Sequence, residues 1–289
     1  SFDAVLPTSS FQRHFLLLHL LQPHVAAFSL SVRVIWESPQ PQPALRAGLQ
    51  LLVRRHAILR TLYKMDLDRA LQTILPDEGF VVPLDGHADR EHMARALKTP
   101  FALTSAPPVQ ALSTSSEAEQ HTVLLFVVDH VAADYAATLL IQEELHAACE
   151  AAGRMTPSRL QPSLLQYADY ALWQQRTFAN EASILEWWRT KLDGAPQVLS
   201  LPFDRSCVAA QQAVGSSLTV VIEEAVGNAM IQACSRERVS NLCGLLATWA
   251  TLMTQLSGQD DVVLGQPYSV RAHFPELRAA VGCFATPVP

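Results

Sequence analysis

His121 to Ala147 reads HTVLLFVVDHVAADYAATLLIQEELHA. Its first half is an unbroken apolar run, Val123 to Val128. A short apolar run rich in β-branched residues is the pattern of a strand covered on both faces. Its second half, Ala136 to Ala147, carries Leu139, Leu140 and Leu145 at helical spacing. Between them lie Asp129-His130-Val131-Ala132-Ala133-Asp134-Tyr135. Titratable side chains at the exit of a buried strand sit on a rigid support, where a functional site can be built. His130 is the first candidate, because an unperturbed imidazole changes charge near neutral pH. The plainer alternative is a hydrogen-bonded structural histidine, one of ten in the chain.

On the N-terminal side, Leu6-Pro7-Thr8-Ser9-Ser10 predicts a helix start with a serine cap, and Pro23 stops that helix after about Leu21. Phe28, Leu30, Val32, Val34 and Trp36 alternate with mostly polar residues, the signature of a strand with one buried face. Leu45, Leu49, Leu52 and Val53 trace one face of a helix. Strands are expected at the end of Arg55–Tyr63, at Leu71–Leu75 and after Pro107-Pro108, with a helix at Arg90–Leu97 and a polar hairpin tip at Ser113–Gln120. On the C-terminal side, helices carry Tyr167–Trp173 and Trp187-Trp188, and a boundary falls near residue 180. A strand at Leu218–Ile222 then precedes two helices, the second a core helix over Leu242–Leu256, and a last strand at Val262–Leu264.

With 289 residues and 49% hydrophobic content the chain can bury a sizeable core in two domains or subdomains. A net charge of −6 with no basic stripe gives nucleic acid or an anionic membrane surface nothing to bind. The longest apolar stretch is broken by Gly244, Thr248, Thr251, Thr254 and Gln255, and is too short to span a bilayer. The five cysteines (149, 207, 234, 243 and 283) have no CxxC spacing, which suits reduced thiols in the cytoplasm. No cluster of metal ligands is expected. The opening Ser1-Phe2-Asp3 is no secretory signal, and both ends are expected to be cuts through a longer polypeptide.

Six stretches, in order, resemble the motifs of nonribosomal peptide synthetase condensation domains. They are Pro7-Thr8-Ser9-Ser10-Phe11-Gln12, Arg55-His56-Ala57-Ile58-Leu59-Arg60-Thr61 (family RHExLRT), Asp129–Tyr135 (HHxxxDG), Tyr167–Trp173 (YxDFAVW), Gly258–Gly265 (GQDDVVVG) and Val281-Gly282-Cys283-Phe284 (start of VGxFVN). That family is related in fold to chloramphenicol acetyltransferase. The resemblance implies two acetyltransferase-like α/β halves in a V with a tunnel between them. Residues 1–180 would form the first half, and 181–289 a second that is incomplete because family members continue beyond VGxFVN. It implies no directly bound cofactor; donor and acceptor carrier proteins bring their substrates on phosphopantetheine, alongside adjacent synthetase domains. The motif's second histidine, His130 here, is the expected catalytic residue, as general base or as an orienting partner. Asp134 is expected in a structural ion pair, with Arg60 as the first choice of partner and Arg271 as the second.

Three positions depart from the family pattern. Asp129 replaces the first histidine and, one residue from His130 in extended chain, points to the opposite face, so a structural role is expected. Tyr135 replaces glycine, and Thr286 stands where the family has asparagine; both are expected to line the tunnel. The implied activity is amide formation between a carrier-bound acyl thioester and a carrier-bound amine. The alternatives are a degenerate domain that binds carriers or neighbours without catalysis, and a variant that forms esters, cyclises or releases its product. If nothing follows residue 289, apolar surface is expected to be exposed or shared.

Overall fold

The computed structural model describes residues 5–66, 69–116, 121–158, 160, 163–178, 182–203 and 218–289. Cys207, the start at Ser1-Phe2-Asp3 and the end of the expected hairpin tip, 117–120, lie outside them. In chain order the elements are β1 (Val5–Pro7), α1 (Ser10–Leu21), β2 (Ser29–Trp36), α2 (Gln42–Arg55), β3 (Thr61–Asp66), β4 (Arg69–Ile74), β5 (Leu84–Asp85), α3 (Arg90–Ala96), β6 (Val109–Ser116), β7 (His121–Asp129), α4 (Tyr135–Gly153), α5 (Tyr167–Thr177), α6 (Ala182–Lys191), α7 (Glu224–Arg236), α8 (Asn241–Ser257), β8 (Gln266–Ser269) and β9 (Ala285–Val288). The chain divides into two units, Ser1–Asn180 with Tyr268–Thr286, and Glu181–Pro267 with Pro287–Pro289. Tyr268–Thr286, expected in the second subdomain, thus packs with the first unit.

In the first unit β7 is the inner strand of a four-stranded sheet, β2-β7-β6-β5. Its alternating side chains go to two different places. Leu124, Phe126 and Val128 join the main core with Val32 and Val34 of β2, Leu45, Leu49 and Leu52 of α2, and Ile141 and Leu145 of α4. Leu125 and Val127 join a smaller core with Leu112 and Ala96. Coverage on both faces is why the run needs no polar alternation. β1, β4 and β3 form a second, antiparallel sheet. Ser9 caps α1 in a capping box with Gln12.

Helix α4 buries Ala137, Ile141, Leu145, Ala148 and Cys149. Leu139 lies off that face and is exposed, so of the three leucines only Leu145 is fully buried, between Ile141 and Cys149. Arg55 and His56 tie the end of α2 to Glu144 of α4, with Nε–Oε1 and Nε2–Oε2 distances of 2.8 and 2.7 Å. Burial alone would push the Glu144 carboxyl up; the hydrogen bond and charge of His56, then those of Arg55, outweigh it and hold the carboxyl below its ordinary value.

Of the expected strands in the second unit, Leu218–Ile222 and Val262–Leu264 are not strands. A strand exists by its ladder, and these segments pair with none of the described residues. Leu218, Val220, Val221 and Ile222 are exposed. The expected core helix forms as α8 but buries only Met253. Trp187 and Trp188 stack edge-on in α6, which buries no residue. Ser113–Ser116, expected in a hairpin tip, extend β6 instead. Among the described residues no helix is long and apolar enough to cross a membrane.

Two predictions follow from the α2–α4 contact. A helix-interior Gly→Ala change ordinarily gains about 1 kcal/mol. At Gly48 an added Cβ falls 2.3 Å from Sγ of Cys149 and 3.0 Å from its backbone nitrogen, and overpacking of this kind costs about 1–3 kcal/mol. Gly48→Ala is therefore expected to lower the thermal midpoint, and Cys149→Ala in the same chain to restore part of the loss. The second concerns Glu144. A carboxyl whose folded pKa is lowered adds stability above its unfolded pKa of about 4.3, and that stability is lost as pH falls through the folded value. The advantage of the parent over Glu144→Gln, read from urea midpoints, should shrink as pH drops below about 4.3; an unchanged gap would contradict the coupling.

Candidate active site

β7 delivers its last residue, Asp129, to a tight loop that enters α4 at Tyr135. The backbone is pinned on both sides: His130 N–H donates to the Phe28 carbonyl at 2.7 Å, and Asp129 N–H to the Pro108 carbonyl at 2.9 Å. Val131, Ala132 and Ala133 are fully buried, which anchors the loop by packing.

Asp134 is where the loop is fastened. Its Oδ1 accepts the Ala137 N–H at 2.8 Å and caps α4. Its Oδ2 accepts the Arg271 Nη1–H together with the N–H groups of Phe284 and Ala285, at 2.9 and 3.2 Å. Arg271 is buried and donates to backbone as well: Nη2 reaches the Ala280 and Gly282 carbonyls at 2.9 and 3.3 Å, and Nε the Leu277 carbonyl at 3.3 Å. Its guanidinium carbon lies 4.2 Å from the centre of the Phe284 ring. The first-choice partner is displaced: Arg60 donates to the carbonyls of Val53 and Leu75 instead. Both arginines fit the sequence pattern, and only the return of the chain past residue 268 puts Arg271 beside the loop.

Asp129 and His130 do point apart. Asp129 is buried; its Oδ1 accepts the Val131 N–H, and its Oδ2 lies 2.9 Å from Nε2 of His19 on α1. The His130 ring is half-buried. It stacks on Phe15 with centroids 4.7 Å apart, and its Nδ1 lies 3.5 Å from Sγ of Cys283. Among the described residues no group hydrogen-bonds its Nε2. Tyr135 opens α4 and is 77% exposed. Thr286 lines an aromatic cleft of about 470 Å³ with Phe11, Tyr170, Trp173, Phe274 and Cys283.

Sequence reasoning passed over Phe15, His19, Tyr167 and Cys283 as partners of this loop. Phe11, Phe15 and His19 are four residues apart, so one face of α1 presents all three; that signal was readable. Tyr167 is buried; its hydroxyl donates to the Cys283 carbonyl at 2.7 Å, so the Ser9 hydroxyl, 2.8 Å away, donates to it. Gly282 permits this approach, because a Cβ there would lie 2.0 Å from Tyr167 Cδ2. Burial and the nearby Asp134 push the Cys283 thiol far above its ordinary range against the pull of Arg271, so it stays protonated. Among the described residues no group of three or more His, Cys, Asp or Glu side chains could hold a metal.

The family model for the condensation domain matches residues 3–289. The chain belongs to the condensation-domain family. It is 31% identical over 292 residues to malpinin synthetase of Mortierella alpina, covering 98% of this chain and 4% of that one. It is 30% identical to phosphinothricin tripeptide synthetase PhsC of Streptomyces viridochromogenes, covering 98% of this chain and 27% of the relative. This condensation domain thus spans a minor part of the relatives it matches. Among solved structures it resembles the X-domain from teicoplanin biosynthesis in complex with OxyB, with a TM-score of 0.89 and 25% identity over all of this chain and 65% of that one. The fold is α/β and chloramphenicol acetyltransferase-like. Condensation domains work in multidomain synthetases beside carrier domains that bear phosphopantetheine.

The Asp134 pair gives a stability prediction. Removing one partner of a buried ion pair costs about 3–5 kcal/mol, because the other charge stays buried. Arg271→Ala should lose about that much in urea unfolding, and more than Arg60→Ala, which frees only backbone carbonyls. Equal losses would place the fastening elsewhere.

Proposed function

We propose that this domain forms an amide between a carrier-bound acyl thioester and a carrier-bound amine, with His130 as general base. The observation that carries the reading is the half-buried His130 ring, held by Phe15 and Cys283, with Nε2 unengaged by the described residues. The amine nitrogen attacks the thioester carbonyl carbon, and its proton passes to Nε2. The carbon–sulfur bond then breaks, and the pantetheine sulfur leaves and takes up the proton. Positioning and proton transfer carry the rate.

Donor and acceptor carrier proteins bring both substrates on phosphopantetheine, and the domain itself binds no cofactor. Adjacent synthetase domains flank it in the cytoplasm. Residues 1–180 and 181–289 are assigned to two acetyltransferase-like subdomains, with 268–286 returning to the first. Asp134, Arg271, Asp129 and Arg60 hold the scaffold; Tyr135 and Thr286 are assigned to substrate contact.

A second reading, a domain that recruits partners without catalysis, is favoured by Asp129 and Tyr135 in the motif and by likeness to an X-domain seen in complex with OxyB. Loaded donor and acceptor carriers, mixed with the full-length parent and followed by intact mass, separate the two. Transfer should occur and should fall about 10²–10⁴-fold in His130→Ala. No transfer with any amine or hydroxyl acceptor would favour recruitment. Transfer untouched by His130→Ala would remove that residue from the chemistry.

A further inference from the structure

A cysteine beside a half-buried histidine invites reading as a nucleophilic pair. The surroundings of Cys283 rule against it. Its side chain is 2% exposed, and burial with the adjacent Asp134 carboxylate disfavours the thiolate that a nucleophile requires. The thiol has another use. It sits between two polar atoms, Nδ1 of His130 at 3.5 Å and the Ala285 carbonyl oxygen at 3.9 Å.

A thiol carries one hydrogen, and sulfur also accepts weakly. If S–H donated to Nδ1, it could not also donate to the Ala285 carbonyl. Both contacts are hydrogen bonds together in one arrangement only: S–H donates to Ala285, and Nδ1–H of His130 donates to sulfur. A neutral imidazole with its proton on Nδ1 leaves Nε2 with its lone pair. From this geometry we infer that Cys283 is a positioning residue that fixes His130 in the tautomer whose Nε2 can accept a proton. This rests on the reading of His130 as general base.

The arrangement is well supported from behind. The Cys283 carbonyl accepts from Tyr167, and the next two N–H groups, of Phe284 and Ala285, bond the Asp134 carboxylate. The sulfur is therefore placed by backbone that is held on both sides, while Phe15 stacks on the ring and limits its rotation. The group that bonds the far ring nitrogen of a working histidine is commonly a carboxylate or a carbonyl. A neutral thiol performs the same task here without adding charge beside the ring.

The test combines a spectroscopic and a kinetic arm in the full-length parent and in this 289-residue chain. Long-range ¹H–¹⁵N spectra of ¹⁵N-histidine-labelled chain, with His130 assigned by its absence in His130→Ala, report the tautomer. The parent should show a protonated Nδ1 and bare Nε2. Cys283→Ala should mix the two tautomers, and Cys283→Ser, which can donate and accept in the same place, should restore the parent pattern. In carrier-to-carrier transfer by the full-length protein, Cys283→Ala should lower kcat by less than the roughly 10²–10⁴-fold loss in His130→Ala. It should leave KM for the loaded carriers unchanged, and Cys283→Ser should recover most of the rate. A protonated Nε2 in the parent, or a tautomer unaltered in Cys283→Ala, would overturn the inference. Because the spectra need no turnover, they decide it even if His130→Ala proves fully active and the general-base reading fails.

Discussion

The carboxylate of Asp134 fastens three separate parts of the chain. It caps α4, pairs with Arg271, and receives the backbone N–H groups of Phe284 and Ala285. A buried charge is tolerable only when its lone pairs are satisfied, and here the satisfying groups beyond α4 come from Arg271 in the turn after β8 and from the backbone of Phe284 and Ala285. The geometry around His130 inherits its definition from this one charged group. Loop, helix and returning segment cannot shift independently without stranding a charge.

A second set of buried polar groups supports the first from the α1 side. Ser9 both caps α1 and bonds Tyr167, while Gln12 closes the capping box and donates to Tyr63. Tyr167 then holds the Cys283 carbonyl. Burial raises the acid pKa of both tyrosines, which keeps them neutral hydrogen-bonding groups across the working pH range. The residues that resemble family motifs thus meet each other in space: the opening serine touches the tyrosine of the fourth motif, which touches the cysteine of the last.

The parts legible in the sequence were those decided locally. The apolar run of β7, the alternation of β2 and the serine cap of α1 are short-range patterns, and each produced the expected element. Leu218–Ile222 has the same composition as a strand but lacks a neighbour to pair with among the described residues, and composition cannot supply a ladder. The choice between Arg60 and Arg271 was undecidable for the same reason: either side chain suits a carboxylate, and tertiary placement selects. The Phe11-Phe15-His19 face was readable at helical spacing and was passed over. Cys283 was not readable as a partner of His130, since it occupies an unspecified position in its motif and lies 153 residues away.

That separation also sets an order of events during synthesis. Arg271 follows Asp134 by 137 residues. A ribosome adding about 5–20 residues per second reaches it about 7–30 s later. Through that interval the strand and the helix flanking the loop can already be paired and packed, while the Asp134 carboxylate has neither its arginine nor the two N–H groups beyond it. A nascent chain can therefore carry a folded scaffold around a loop that is not yet fastened, and the surroundings of His130 are complete only once the segment that carries Arg271, Phe284 and Ala285 has been made.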